Sequence, residues 1–229
     1  MECQQWETLF HLPLSQQAHH ELLQLHQMVQ SMQLQAAEPD CCVLKQNGKQ
    51  YVAKSYYTYV HRNIIPNTLL KWIWASSCTM KIKVFSWMMI MDRLNTQDML
   101  LQRHWNVSDS PACVLFSGNN REDRDHLFFN CRFSHRIWNF LQIYWPLGDD
   151  QVETVMRARA EFAKPFFTEV VFIACWKIWT IRNGKVFKNE RPSFNRWRSN
   201  FIHDITLMTH RIKPKFRHEL FRWIAFLPP

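Results

Sequence analysis

The sequence predicts a mainly α fold with one short β-hairpin near its N-terminal end. Three observations carry this expectation. Glycine occurs only 4 times in 229 residues, and tight positive-φ turns and phosphate-cradling loops both depend on it. Tryptophan (11) and phenylalanine (17) are abundant, which argues for a packed core and against disorder. Apolar residues recur at steps of three and four in several segments, the period of one helix face. The length allows one large domain or two small ones.

Residues 1–40 are rich in Gln, His and Leu. Leu22, Leu25, Met28, Val29 and Met32 keep helical spacing, and this helix should end before Pro39. Residues 42–54 hold the hairpin. Asn47-Gly48 separates two β-prone runs, and both turn positions must tolerate φ > 0. Ser55 is the expected N-cap of a helix containing Tyr56, Tyr59 and Val60, and Pro66 opens the next segment. Residues 80–92 are apolar nearly all round, with Ile82, Val84, Phe85, Trp87, Met88, Met89 and Ile90, so a central buried helix is expected there. Asn95 should cap a helix over 96–104, with Asp98 facing its N-terminal amides and Met99 and Leu100 packing inward. Residues 106–125, with Pro111 and Ser117-Gly118-Asn119-Asn120, read as a loop. A helix over 134–143 carries Ile137, Trp138 and Leu141, and 146–150 reads as a linker. Helices over 166–188 and 193–211 follow. The first shows a stripe of Phe172, Trp176, Trp179, Val186 and Phe187; the second, capped by Ser193, carries Phe194, Trp197, Phe201, Ile205, Met208 and Ile212.

The net charge of +9 is uneven. Residues 146–229 hold 15 Lys/Arg against 8 Asp/Glu, whereas residues 1–64 hold 4 against 5. A basic C-terminal part suits polyanionic partners, RNA or DNA, although a solvated helical surface gives the same composition. The seven cysteines are an odd number without a preceding leader pattern, so reduced thiols or a metal are expected, in an intracellular compartment. The most apolar run, residues 166–179, contains Glu169 and Lys177; it is too short and too charged to span a bilayer.

One constellation carries chemistry. Cys113, then His126 after twelve intervening residues, then Cys131 supply thiolates and an imidazole, the preferred ligands of structural zinc. A paired C-x-x-C would complete the set, but Cys113-Val114-Leu115 is followed by Phe116. By chemistry alone such residues are more often ordinary packed side chains than ligands.

Their surroundings add to that reading. Lys81-Ile82-Lys83-Val84-Phe85-Ser86-Trp87, Asp92-Arg93-Leu94-Asn95-Thr96, Met99-Leu100, Trp105, Cys113-Val114-Leu115, His126-Leu127-Phe128-Phe129, Cys131-x-Phe133 and Trp138 follow one another in order. Together they resemble the zinc-binding domain that follows the polymerase in plant LINE-type reverse transcriptases. The flanks are similar as well, through Lys54-Ser55-x-Tyr57, Ala163-Lys164-Pro165-Phe166-Phe167, Trp176-Lys177-Ile178-Trp179 and Arg182-Asn183. The resemblance implies a Cys, Cys, His, Cys ligand set. Cys113, His126 and Cys131 match it and Phe116 departs from it, so Zn²⁺ binding should be weak or lost, in a zinc-finger-like loop insertion within a helical domain. Three protein ligands are otherwise the pattern of catalytic zinc, and no general acid or base is indicated nearby. Glu122, Asp123 and Asp125 flank His126 as hydrogen-bonding support or as solvated charge. His104 and Cys78 are the remaining donors that could substitute.

The reverse-transcriptase signature is absent. No Tyr-x-Asp-Asp turn exists, and Asp149-Asp150 is the only adjacent aspartate pair. No G-x-S-x-G, P-loop or H-E-x-x-H occurs either, so a non-catalytic chain detached from its polymerase is expected. The expected organisation is an N-terminal segment over 1–40, the zinc-binding domain over 41–145 and a basic helical region over 146–229. Lys81, Lys83, Arg93, Arg196, Arg198, Lys213 and Lys215 are the candidate phosphate contacts, with exposed Trp or Phe stacking on bases. The competing readings are a helical protein-interaction module, marked by an exposed aromatic stripe among residues 166–212, and a remnant open reading frame without present function.

Overall fold

The computed structural model describes residues 13–31, 43, 48, 50–64, 67–105, 111–116, 120–146 and 150–228. They form ten α-helices and one π-helical turn. The chain divides into two compact units, Met1–Ile64 and Ile65–Pro229.

The first unit contains α1 (Gln16–Ser31) and α2 (Ala53–Val60), neither of which buries a residue. The helix expected before Pro39 is α1, while Met32 and the segment up to residue 42 lie outside the described residues. The expected hairpin is not found: no strand occurs among the described residues. What remains is one antiparallel bridge between Val43 and Gln50, with Gly48 at φ +63°; Asn47 lies outside the described residues. The turn chemistry is therefore local and real, but a two-stranded ribbon with no third strand or covering helix is marginal in water. Ser55 is not a cap either. α2 starts three residues earlier, with Val52 as N-cap and no side-chain hydrogen bond.

The second unit contains α3 (Thr68–Ala75), α4 (Met80–Ile90), α5 (Gln97–Gln102), the π-turn His126–Asn130, α6 (Arg132–Leu141), α7 (Gln151–Phe162), α8 (Phe167–Lys188), α9 (Phe194–Met208) and α10 (Pro214–Phe226). α8 is the central element and packs against α4 and α9. Val170, Ile173, Ala174, Cys175 and Ile178 are fully buried along it. α9 delivers the stripe its spacing predicts: Trp197, Phe201 and Ile205 are fully buried, and Met208 nearly so. The Trp197 indole stacks on Phe201 and donates to the Ala174 carbonyl of α8 at 3.3 Å, so its one polar atom is satisfied inside the core. Ser193 caps α9, accepting from the Arg196 amide. The α8 stripe stops short of its end, because Phe187 is exposed.

Three further local expectations are corrected. The cap of α5 is Thr96, whose hydroxyl accepts from the Met99 amide, and Asn95 instead receives Arg103. Asp150, read as linker, caps α7 by accepting from Val152 at 2.8 Å. α4 is central only on one face: Ile82, Phe85, Ser86 and Met89 are buried, while Met80, Val84, Trp87 and Met91 at its end are exposed. No helix among the described residues is long and apolar enough to cross a membrane.

Candidate metal centre

Two pieces of chain bring the predicted ligands together. The first is the polar loop after α5, which closes on itself. Cys113 donates its amide to Asn120 at 2.9 Å, Glu122 donates to Pro111 at 2.7 Å, and Ala112 bridges Arg121. Residues 113–116 turn at the head of this closure, with Cys113 and Leu115 buried.

The second piece is the π-turn. The Cys131 amide donates to the His126 carbonyl at 2.7 Å, an i→i+5 bond that ties the two ligand residues to each other. Such a turn leaves carbonyls without helical partners, and buried polar groups must be paired. Ser134 donates its hydroxyl to Leu127, and the Trp138 indole donates to Phe128 at 2.7 Å. Leu127 and Phe128 themselves fill the core. The chain then reverses into α6 with Cys131 as its N-cap.

Within this frame the Sγ atoms of Cys113 and Cys131 and a ring nitrogen of His126 all lie within 4.8 Å of one another. The sulfurs are 3.8 Å apart. Two thiolates on one tetrahedral zinc, at about 2.3 Å each, stand roughly 3.8 Å apart. His126 Nε2 is buried and has no hydrogen-bond partner, the state of an imidazole nitrogen whose partner is a metal. The His126 amide is held by Asp123 at 2.6 Å.

Electrostatics favour anionic sulfur at Cys131. It accepts the Cys113 hydrogen bond, lies against the amides of Phe133 and Ser134 at the start of α6, and neighbours His126, so its thiol is shifted down despite burial. Cys113 gives the complementary result: donating to Cys131 and being buried push it up. A cation bound between the two sulfurs would be held by thiolates, since a metal ligand must be deprotonated.

Phe116 is half-buried against the core, and the Arg132 guanidinium lies 5.0 Å from its ring centre. Among the described residues, Cys113, His126 and Cys131 are the one His/Cys/Asp/Glu cluster of metal-binding geometry. Cys78 is buried beside Glu169 and Ser76, where burial and then Glu169 push its thiol up to about 12. Cys175 is fully buried in α8, and His104 is exposed with φ +56°.

Glu122 has a role its neighbours in sequence do not reveal. It is fully buried, and its carboxylate meets the equally buried Arg182 of α8, accepting from Nε at 3.0 Å and Nη2 at 2.7 Å. The same carboxylate accepts from the Gln97 amide at 3.1 Å and the Val114 amide at 3.4 Å. One acidic side chain thus joins the start of α5, the Cys113 turn and α8. Asp125 pairs with Arg124 near the surface.

The candidate phosphate contacts are scattered. Lys81, Arg93, Lys213 and Lys215 are exposed. Lys83 donates to the Trp74 carbonyl at 2.9 Å. Arg196 pairs with Glu190 at 2.6 Å, and Arg198 donates to Pro228 at 3.0 Å; both are half-buried.

No curated protein and no solved structure matches the chain. A family model does, described as zinc-binding in reverse transcriptase, over residues 51–138. That interval runs from α2 to α6 and contains Cys113, Phe116, His126, Cys131 and Trp138. Residues 51–138 of this chain thus match the model of a zinc-binding domain found in reverse transcriptases.

Proposed function

We propose that the chain is a non-catalytic, retrotransposon-derived module of plant LINE type that binds zinc weakly through Cys113, His126 and Cys131. The observation that carries this reading is the convergence of the two sulfurs with a ring nitrogen of His126, a residue whose Nε2 is buried without a hydrogen-bond partner. Bound there, zinc would supply a cross-link between the Cys113 turn and the start of α6. The chain's own residues do the rest. The π-turn fixes His126 against Cys131, and α6 amides support the Cys131 sulfur. Phe116 occupies the place of the second cysteine, so one thiolate is missing from the set. Structural zinc in small peptides contributes on the order of 10–16 kcal/mol with a full ligand set, and loss of one charged ligand lowers affinity by orders of magnitude. The surrounding core should not depend on the ion, because Leu127, Phe128, Ile137 and Trp138 are buried by packing.

The accompanying role is an accessory one, holding RNA or DNA for an ancestral polymerase through sequence-independent phosphate contacts. The exposed cations Lys81, Arg93, Lys213 and Lys215 support it.

Metal analysis of the purified wild type and of Phe116→Cys, side by side after dialysis against a mild chelator, tests the reading. The variant should retain one zinc per chain and melt higher, since a ligand bound only by the native state stabilises it. The wild type should lose its zinc. Equally tight zinc in both would mean that another residue completes the set. No zinc in either would sink the site.

A further inference from the structure

We propose that the exposed face of α4 is a docking surface for an amphipathic, acidic helix of a partner protein. This goes beyond the metal reading and does not depend on it. Met80, Val84 and Trp87 on α4, with Met91 at its end, are 64%, 38%, 41% and 44% exposed. Their spacing of four, three and four puts them on one stripe about 16 Å long, on the side away from Ile82, Phe85 and Met89. That is the seam of a helix expecting another helix, with alternating steps of three and four. Beside it lies a groove of about 370 Å³ between α4 and α8, lined by Met80, Val84, Met88, Trp176 and Trp179. Methionine-rich apolar surfaces of this kind accommodate helical ligands.

Charge selects the partner. Lys81 and Lys83 flank the stripe on its two sides, and Lys71 lies on the adjoining α3. Neither α3 nor α4 contains an acidic residue. Lys81 Nζ sits 4.9 Å from the Trp176 ring centre at the groove, and Lys83 is anchored on the Trp74 carbonyl. A helix with glutamate or aspartate beside its apolar anchors would meet these ammonium groups across the seam. A second copy of the chain is disfavoured by the net charge of +9 on each. Single-stranded RNA would need exposed stacking rings, whereas Trp176 and Trp179 in the groove are half-buried and three of the four stripe residues are not aromatic. Of the aromatic residues of 166–212, Trp176 and Trp179 are half-buried and line this groove, while Phe166, Phe167, Phe172, Trp197 and Phe201 are buried.

The test is fluorescence anisotropy on the full chain with two labelled synthetic helices of about five turns. Both carry leucines at alternating steps of three and four. One has glutamates on the flanks, the other lysines, and each is kept at nanomolar concentration so that it stays monomeric. The acidic helix should bind and the basic one should not. Val84→Glu, at an exposed position, should weaken binding at least ~10-fold, about 1.4 kcal/mol. Lys81→Glu should shift preference toward the basic helix, a result that simple unfolding does not give; circular dichroism verifies that both variants fold. Absence of binding by either helix overturns the proposal. So does equal binding of both. A wild-type dimer in sedimentation that Val84→Glu dissolves would assign the face to a second copy. Poly(U) binding lost in Val84→Glu, without helix binding, would assign it to RNA.

Discussion

Replacing Glu122 by alanine removes the acceptor for four donors at once: two nitrogens of Arg182, and the amides of Gln97 and Val114. Both charged partners are buried, Glu122 fully and Arg182 to within 2%. The guanidinium is then left charged and uncompensated in the interior, which costs about 3–5 kcal/mol. The two amides add roughly 1–3 kcal/mol each where no water reaches them. The sum rivals the whole stability of an ordinary domain, about 5–15 kcal/mol, so Glu122→Ala should barely fold. Arg182→Met is the gentler probe, because methionine follows the stem of the arginine while the carboxylate keeps its two amides. It should cost about 3–5 kcal/mol. In the double variant Glu122→Gln/Arg182→Met both charges are gone, and it should be more stable than Arg182→Met alone. Urea unfolding followed by circular dichroism, arranged as a double-mutant cycle, measures the coupling. A loss under about 1 kcal/mol in Arg182→Met, or additivity across the cycle, would refute the view that this pair holds the Cys113 turn on α8.

Trp138→Phe should cost about 1–3 kcal/mol, since the Phe128 carbonyl inside the π-turn loses its indole donor; an unchanged urea midpoint would count against that account of the turn. Ala163→Gly should stabilise by up to about 1 kcal/mol, because Ala163 ends α7 at φ +52°, a conformation that glycine adopts without strain; a lower melting temperature would contradict it. Trp197→Ala should cost about 3–5 kcal/mol, as its ring is fully buried between Phe140, Phe194 and Phe201. If single-stranded RNA is bound, Lys213→Glu with Lys215→Glu should flatten the slope of log affinity against log salt by about 1.4, near 0.7 per lost phosphate contact; an unchanged slope would clear α10 of any role.

The parts of this molecule written in local periodicity were legible. α9 follows from steps of three and four, and its stripe is buried as the spacing requires. Cys113, His126 and Cys131 converge as the family resemblance, more than their spacing, implied. Misreadings arose where a residue's meaning lies elsewhere in the chain. Glu122 reads in sequence as support for His126 or as solvated charge, because its true partner, Arg182, is 60 positions away. The apolar run of α4 announced a helix, but composition does not say which of its faces the fold covers. Thr96 and Asn95 are both good caps, and only the path of the chain decides between them. Asp150 follows Pro146 and Gly148, so it read as linker when it starts a helix. Asn47-Gly48 favours a turn, but strands need neighbours, and no strand occurs among the described residues.

The π-turn also sets how each half of the metal centre tolerates changes in length. Between His126 and Cys131 the backbone bond fixes the interval at five residues. Deleting one would return the turn to α geometry and swing the Cys131 side chain by roughly 100° about the axis, out of reach of the imidazole. The loop that carries Cys113 obeys no such rule. It is clasped by the bonds of Cys113 to Asn120 and of Glu122 to Pro111, and residues inserted between the clasped positions add little closure entropy. Among related sequences, length variation should therefore accumulate between Phe116 and Asn120, while the five-residue step behind His126 stays constant.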